Sequence, residues 1–346
     1  MEPELGDLRA ELRAAGVFEF REGRTWLKMF VMAIGVVACL VGMAKFGWLV
    51  AIPLVPICAV LCTSIAMVGH EGSHKSFSAS PLRNALVVHF AFPLFAGLSS
   101  LYWHNKHDVL HHGHPNVDNV DPDIMPFPFS SSRAGHARCG PKERWFQRNF
   151  QKYLFWPMST LMTVGMRRSS LLFLVRYRGK RDRAWWIEAG CTLAHYTGWV
   201  LVPSLVFGPL AAIALYSSMW GLVGVCLALI FAPAHMGMPV TNGQNRDWLH
   251  QIETTRNLEL PRVVSPFFIG LDYQVEHHLF PKIPHARLPL AAKITSAWCA
   301  RHGIPYESLP YPKALADAIR FMASAWSQEA ACPHEVRAWL ANELAA

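Results

Sequence analysis

The sequence predicts an all-α integral membrane protein: four transmembrane helices in two hairpins, a re-entrant or interfacial segment, and a cytoplasmic helical cap. Three observations carry this reading. Of 346 residues, 52% are hydrophobic and only 16% charged, more apolar surface than a soluble domain of this size needs. Four stretches reach the roughly 20 apolar residues that a helix requires to cross hydrocarbon. The stretch between the two hairpins, Lys106 to Arg183, holds fourteen Lys and Arg, which by the positive-inside tendency makes it cytoplasmic.

Taken in order, Met1 to Arg24 reads as an amphipathic cytoplasmic lead-in. Its Glu2, Glu4 and Asp7 precede any apolar run, the wrong order for a secretory signal, so insertion is expected to rest on internal helices. Leu27 to Ala44 and Trp48 to Val68 form the first hairpin, joined at Lys45 to Gly47. Ala85 to Trp103 is also long enough to span, but crossing would put the histidine clusters on its two sides in opposite compartments, so it is read as re-entrant or interfacial. The basic segment ends in Arg176, Arg178, Lys180, Arg181 and Arg183. Ala189 to Phe207 and Leu210 to Ala232 form the second hairpin, turning at Gly208 to Pro209. Ala286 to Ala346 alternates helical patterns with breaks at Pro305, Pro310 and Pro312. With no internal repeat and no low-complexity linker, residues 1–346 read as a single domain.

The 32 Lys and Arg exceed the 24 Asp and Glu, but they cluster between hydrophobic segments, which points to a membrane surface and not to nucleic acid. Eight cysteines are scattered without a CxxC pair; Cys39, Cys58, Cys62, Cys191 and Cys226 sit in apolar segments and read as buried thiols.

Seventeen histidines are present, and their positions matter more than their number. His70-Glu71-Gly72-Ser73-His74 begins where the second span ends, and its i,i+4 spacing puts both imidazoles on one helical face. His107-Asp108-Val109-Leu110-His111-His112 repeats that spacing and adds an adjacent ring pointing about 100° away. His235 stands where the fourth span emerges, and His277-His278 follow in Gln274-Val275-Glu276-His277-His278. Neutral imidazole suits iron, copper and zinc, and eight such ligands imply more than one ion, with two irons the natural count. Glu71, Asp108, Asp121, Asp123 and Glu276 are available to orient the rings and offset the charge. His89 and His195 lie inside apolar segments without a spacing partner and read as packed, hydrogen-bonded histidines. His104 and His114 flank the second cluster as ligands, outer partners or surface residues. His136, His250, His285, His302 and His334 have no spacing argument.

HEGSH, HDVLHH and QVEHHLFP, separated by paired apolar helices, resemble the membrane fatty acid desaturase family over nearly the whole chain. The third box, with Gln274 in place of a first histidine and Leu279-Phe280-Pro281 after it, resembles the front-end subgroup, as does the stretch from Asp247-Trp248 to Pro281. The resemblance implies two irons on His70, His74, His107, His111, His112, His235, His277 and His278, with Gln274 at the edge of the site. It implies dioxygen-dependent removal of hydrogen from two neighbouring methylenes of a fatty acyl substrate, carried by coenzyme A, a carrier protein or a lipid. Many front-end enzymes carry a fused cytochrome b5 domain with an HPGG motif; the one His-Pro pair here, His114-Pro115, continues as Asn116, so a separate ferredoxin or cytochrome b5-type donor is expected. The nearest rival is a hydroxylase, ketolase or epoxidase on the same scaffold. A metal transporter would need its histidines at midplane depth, and a zinc amide hydrolase would need about three ligands.

Overall fold

The first long helix, Glu22–Phe46, is apolar on both sides. Phe30, Ile34, Val37 and Val41 make an exposed stripe at helical spacing, while Met29, Met32, Val36, Cys39 and Met43 are buried opposite them. A stripe that apolar is unfavourable against water and at home against acyl chains. Among the described residues of this computed structural model, three helices are long and apolar enough to cross a membrane: Glu22–Phe46, Leu49–Ser73 and Pro209–His235. The structure describes residues 4–124, 128–177, 181–242 and 247–330; Arg178 and Lys180 of the basic segment, and Pro333 and His334 of the tail, lie outside the described residues.

The chain divides into two units. The apolar unit comprises Phe20–Asn105 and Trp156–Ala228. Glu22–Phe46 and Trp48–Ser73 pack as an antiparallel pair, turned at Gly47, whose φ of 73° is accessible to glycine. The expected re-entrant stretch is two limbs, Pro81–Ala96 and Ser100–His111, bent by 106°. Each limb has its own cap: Ser80 Oγ accepts from Arg83 N, and Ser99 Oγ accepts from Tyr102 N. Between them Gly97 takes a φ of +66°, and a Cβ there would come within 2.5 Å of the His195 ring. The expected span from Ala189 to Phe207 lies in a helix that starts earlier, at Arg183 behind an Asp182 cap, and is interrupted: Arg183–Tyr196, a π-turn at Thr197–Leu201, then Val202–Phe207. Pro203 accounts for the break, because it offers no N–H and its ring clashes with the carbonyl four residues back.

The second unit comprises Met1–Glu19, Lys106–Phe155 and Leu229–Ala346. Leu8 and Leu12 of the helix Leu5–Ala14 join Ile252, Val275, Leu279, Phe280, Leu288 and Trp298 in one core, so the amphipathic lead-in docks on the helix Leu288–His302. A short parallel pairing, Asn257–Glu259 with Ser308–Pro310, ties the third histidine cluster to the following segment. The cysteines among the described residues are free thiols; Cys39, Cys58, Cys62 and Cys299 are buried, and Cys191 and Cys226 are half-buried.

Candidate metal centre

Six of the eight expected ligands lie in the second unit, on three elements: the π-helical turn His104–His111 with His112 after it, the C-terminal end of Pro209–His235, and the short helix Gln274–Leu279. They form two trios. His111, His235 and His278 are all buried, and one ring nitrogen of each lies within 4.8 Å of the other two. His107, His112 and His277 make the second trio within the same limit, with Nε2 of His107 and Nε2 of His112 facing each other at 3.2 Å. The trios adjoin: the His112 and His278 rings stack at 4.4 Å and those of His107 and His111 at 5.1 Å. The remaining pair belongs to the apolar unit. His70 lies in the last turn of the helix Trp48–Ser73 and His74 caps it; both are buried, their rings 4.6 Å apart.

Two of the rings, His111 and His278, are held by bonds on their outer nitrogens. Nδ1 of His111 lies 3.0 Å from both oxygens of Asp121, so Nδ1 carries the proton and Nε2 offers its lone pair to the trio. Asp121 is itself fully buried and accepts from the backbone N–H of Asn116 at 2.9 Å and of Asp123 at 2.8 Å. Asp123 approaches Nδ1 of His107 and of His111 at 3.7 Å and pairs with Lys106. His278 Nδ1 donates to Gln251 Oε1 at 3.1 Å. This donor set, nitrogen-rich, buried and oriented by carboxylate and amide oxygens, fits a transition-metal ion.

The other expected outer partners differ in placement. Asp108 is half-buried, and no metal-capable group among the described residues includes it. Gln274 is buried beside the third cluster. The Glu276 carboxyl turns to a pocket of its own: Asn257 Nδ2 donates to Oε2 at 2.8 Å and the Tyr306 hydroxyl to Oε1 at 2.9 Å. Burial pushes this carboxyl up to about 7, against the pull of those two bonds. Asn257 also accepts from the Val275 N–H at 2.9 Å, so it holds the two residues immediately before His277 and His278. Asn116, at a φ of 55° that asparagine tolerates better than most residues, donates to the carbonyls of His235 and Pro239. Asn257, Tyr306, Gln251 and Asn116 have no spacing signature and were not among the expected site residues; only the stretch from Asp247 to Pro281 pointed towards two of them.

The role of Asp121 leads to a measurable expectation. Asp121→Asn keeps the shape but replaces the acceptor of the His111 proton with a neutral amide, so metal affinity and turnover should each fall about 10–100-fold. Metal titration of the purified variant by calorimetry checks it, and native affinity would remove Asp121 from the site.

The fatty acid desaturase profile matches residues 46–310, which contain all eight histidines. The chain is 29% identical over 256 residues to an acyl-lipid (8-3)-desaturase of Thraustochytrium sp, covering 71% of this chain and 56% of that protein. It is 26% identical to fatty acid desaturase 3 of Bos taurus, covering 84% and 65%, and 25% identical to a fatty acid desaturase 2-like protein of Mus musculus, covering 92% and 66%. The chain thus spans 56% to 66% of the length of these relatives. Since the profile covers well over half of the chain, on both sides of every histidine cluster, the chain belongs to the fatty acid desaturase family.

Proposed function

We propose that this chain is an oxygen-dependent di-iron desaturase that introduces a double bond into a fatty acyl chain, and that it is of the front-end type, acting between an existing double bond and the carboxyl end. The observation that carries the metal reading is the pair of adjoining imidazole trios, two sets of three nitrogen ligands and therefore a natural place for two ions. His70 and His74 complete the ligand set in this proposal, on the strength of their box in the sequence. Bound there, the irons supply the activation of dioxygen that removal of hydrogen from unactivated methylenes demands.

The protein's own work is positional. Asp121 holds the His111 proton on Nδ1, Gln251 does the same for His278, and Asn257 keeps the His277-His278 turn from rotating, so the ligand nitrogens are set before metal arrives. The front-end assignment rests on Gln274 and the QVEHHLFP box. It is supported by likeness to an acyl-lipid desaturase and to two further fatty acid desaturases.

The rest of the proposal concerns setting. We read the chain as one desaturase domain, 1–346, with four crossings, the bent segment as a re-entrant element, and the histidine unit as a cytoplasmic cap. Labelling residues introduced at Ser78 and Asn116 from opposite sides of the membrane would defeat the re-entrant assignment. Electrons would come from a ferredoxin or cytochrome b5-type donor; Lys142, Arg144, Arg148 and Lys152, between Gly140 and Tyr153, offer it a basic surface.

The test is the fatty acid profile of a host expressing the chain with a competent electron donor, fed defined saturated, mono-unsaturated and di-unsaturated acids. Gas chromatography and mass spectrometry after derivatisation should find a new double bond on the carboxyl side of an existing one. Hydroxylated or epoxidised products would assign the chain to the other oxygenases of this scaffold, and an unchanged profile would overturn the proposal.

A further inference from the structure

We infer that Arg167, Ser170, Glu188 and His195 form a collar that fixes the 106° bend between the limbs Pro81–Ala96 and Ser100–His111, and so act as positioning residues for His107 and His111 on the second limb. The inference rests on the desaturase reading above only in what the second limb is for.

A bend in an apolar segment exposes backbone groups that no water can satisfy, and each left without a partner is destabilising. Here they are met one by one from two other helices. The Phe95 carbonyl accepts from His195 Nδ1 at 2.9 Å and the Ala96 carbonyl from Arg167 Nε at 2.8 Å. Past the corner, the Ser99 N–H donates to Ser170 Oγ at 2.7 Å and the Ser100 N–H to Glu188 Oε2 at 2.9 Å. Arg167 and Ser170 come from the helix Met162–Arg176, Glu188 and His195 from Arg183–Tyr196, and all four are buried.

Each collar residue is fixed in turn. The Arg167 guanidinium lies over the rings of Trp220 at 4.1 Å and Tyr216 at 5.2 Å. His195 donates from Nδ1 and takes the Tyr216 hydroxyl on Nε2 at 2.8 Å, which defines a neutral tautomer. Glu188 Oε1 accepts from His89 Nδ1 at 3.0 Å and from the Ser100 hydroxyl, so one carboxylate holds the last residue of the first helical run and the first residue of the next. Gly97 lets the corner close against His195, since any Cβ would meet that ring. Four side chains for four backbone groups is more than a chance kink requires, and what leaves the corner is the limb that carries two of the proposed ligands.

The experiment measures the bend and the metal separately. Spin labels placed at Leu86 and Val109, exposed positions on the two limbs, report their separation without reference to iron. The native chain should give one narrow distance distribution. Glu188→Ala and Arg167→Ala should broaden it and lower iron per folded, monodisperse chain by about tenfold or more. Glu188→Gln, which keeps an acceptor for the Ser100 N–H, should recover much of both. Arg167→Lys should not recover, because an ammonium cannot lie flat on Trp220 while donating in plane. Met32→Leu, a buried change in the same unit that touches none of the four collar bonds, serves as the control and should keep the native distribution and iron even if its Tm falls. An unchanged distribution in both alanine variants, or a broadened one with native iron and an unaltered spectrum, overturns the collar. Product and iron from the native chain decide the desaturase reading independently.

Discussion

Replacing His111 with alanine is expected to abolish product and strip iron from the chain while leaving it folded. His111 is shared between two groups: it belongs to the trio with His235 and His278, and with His107 and Asp123 it forms a further group of possible ligands. Removing it takes a nitrogen from one proposed ion and loosens the other's neighbourhood. The fold should tolerate the loss, because the buried Asp121 carboxylate it leaves behind still accepts from the N–H groups of Asn116 and Asp123. That limits the stability cost to about 1–3 kcal/mol, the cost of a buried polar group stripped of one partner. His302→Ala, an exposed ring bonded to its own helix at the Trp298 carbonyl, should match the native protein in product and iron. Product from His111→Ala above about a tenth of native would reduce the residue to an orienting role and undo the ligand assignment.

What the sequence made legible was what is local. An i,i+4 histidine pair carries its geometry in its spacing, so His107 and His111 stood out, His112, His277 and His278 stood out as adjacent rings in the second and third boxes, and the structure brings these five together with His235. The helices Glu22–Phe46 and Pro209–His235, long and apolar enough to cross a membrane, were readable because length and composition are what set that capacity. What escaped was contributed by single residues distant in the chain. Asn257 reaches Glu276 across 19 positions and Tyr306 reaches it across 30; no periodicity marks an asparagine or a tyrosine for such a task. The π-turn at Thr197–Leu201 escaped for a different reason: Pro203 in an apolar run is compatible with an unbroken span, and only the packing shows how the helix absorbs it.

The collar belongs with those distant contributions. Arg167 lies in the segment whose Lys and Arg count marked it as cytoplasmic, yet its guanidinium is buried against Trp220. A charge tally treats each cation as a surface feature. Burial reassigns this one to holding backbone, and the same holds for Glu188, an acid inside an otherwise apolar helix. Buried charges are costly enough that they persist where they answer a specific need, and the open corner at Phe95 to Ser100 is such a need.

Arg256→Leu should be the most destabilising single change in the histidine unit, by about 3 kcal/mol, and should lower turnover further than its loss of folded protein explains. The side chain is 2% exposed and binds on all sides. Nε donates to the Pro233 carbonyl at 2.7 Å and Nη2 to that of Met236, while Nη1 meets Glu307 at 3.1 Å and Asp317 at 3.3 Å. Pro233 and Met236 bracket His235 at the end of Pro209–His235, where carbonyls have no partner within the helix. The guanidinium thus serves as the cap that keeps His235 at its trio. Leucine fills the volume but leaves two carbonyls and two carboxylates without their cation. The cost stays near 3 kcal/mol because Glu307 and Asp317 reach solvent and Asp317 keeps Arg320. Lysine should not rescue, since one ammonium cannot donate in opposite directions from a rigid plane. Thermal unfolding in detergent reads the first effect, and iron per folded chain reads the second. If Arg256→Leu melts with the native protein, the guanidinium is no cap; if it melts early but the folded fraction keeps native iron, the Asn116 and Met238 bonds to the His235 carbonyl suffice to hold that residue.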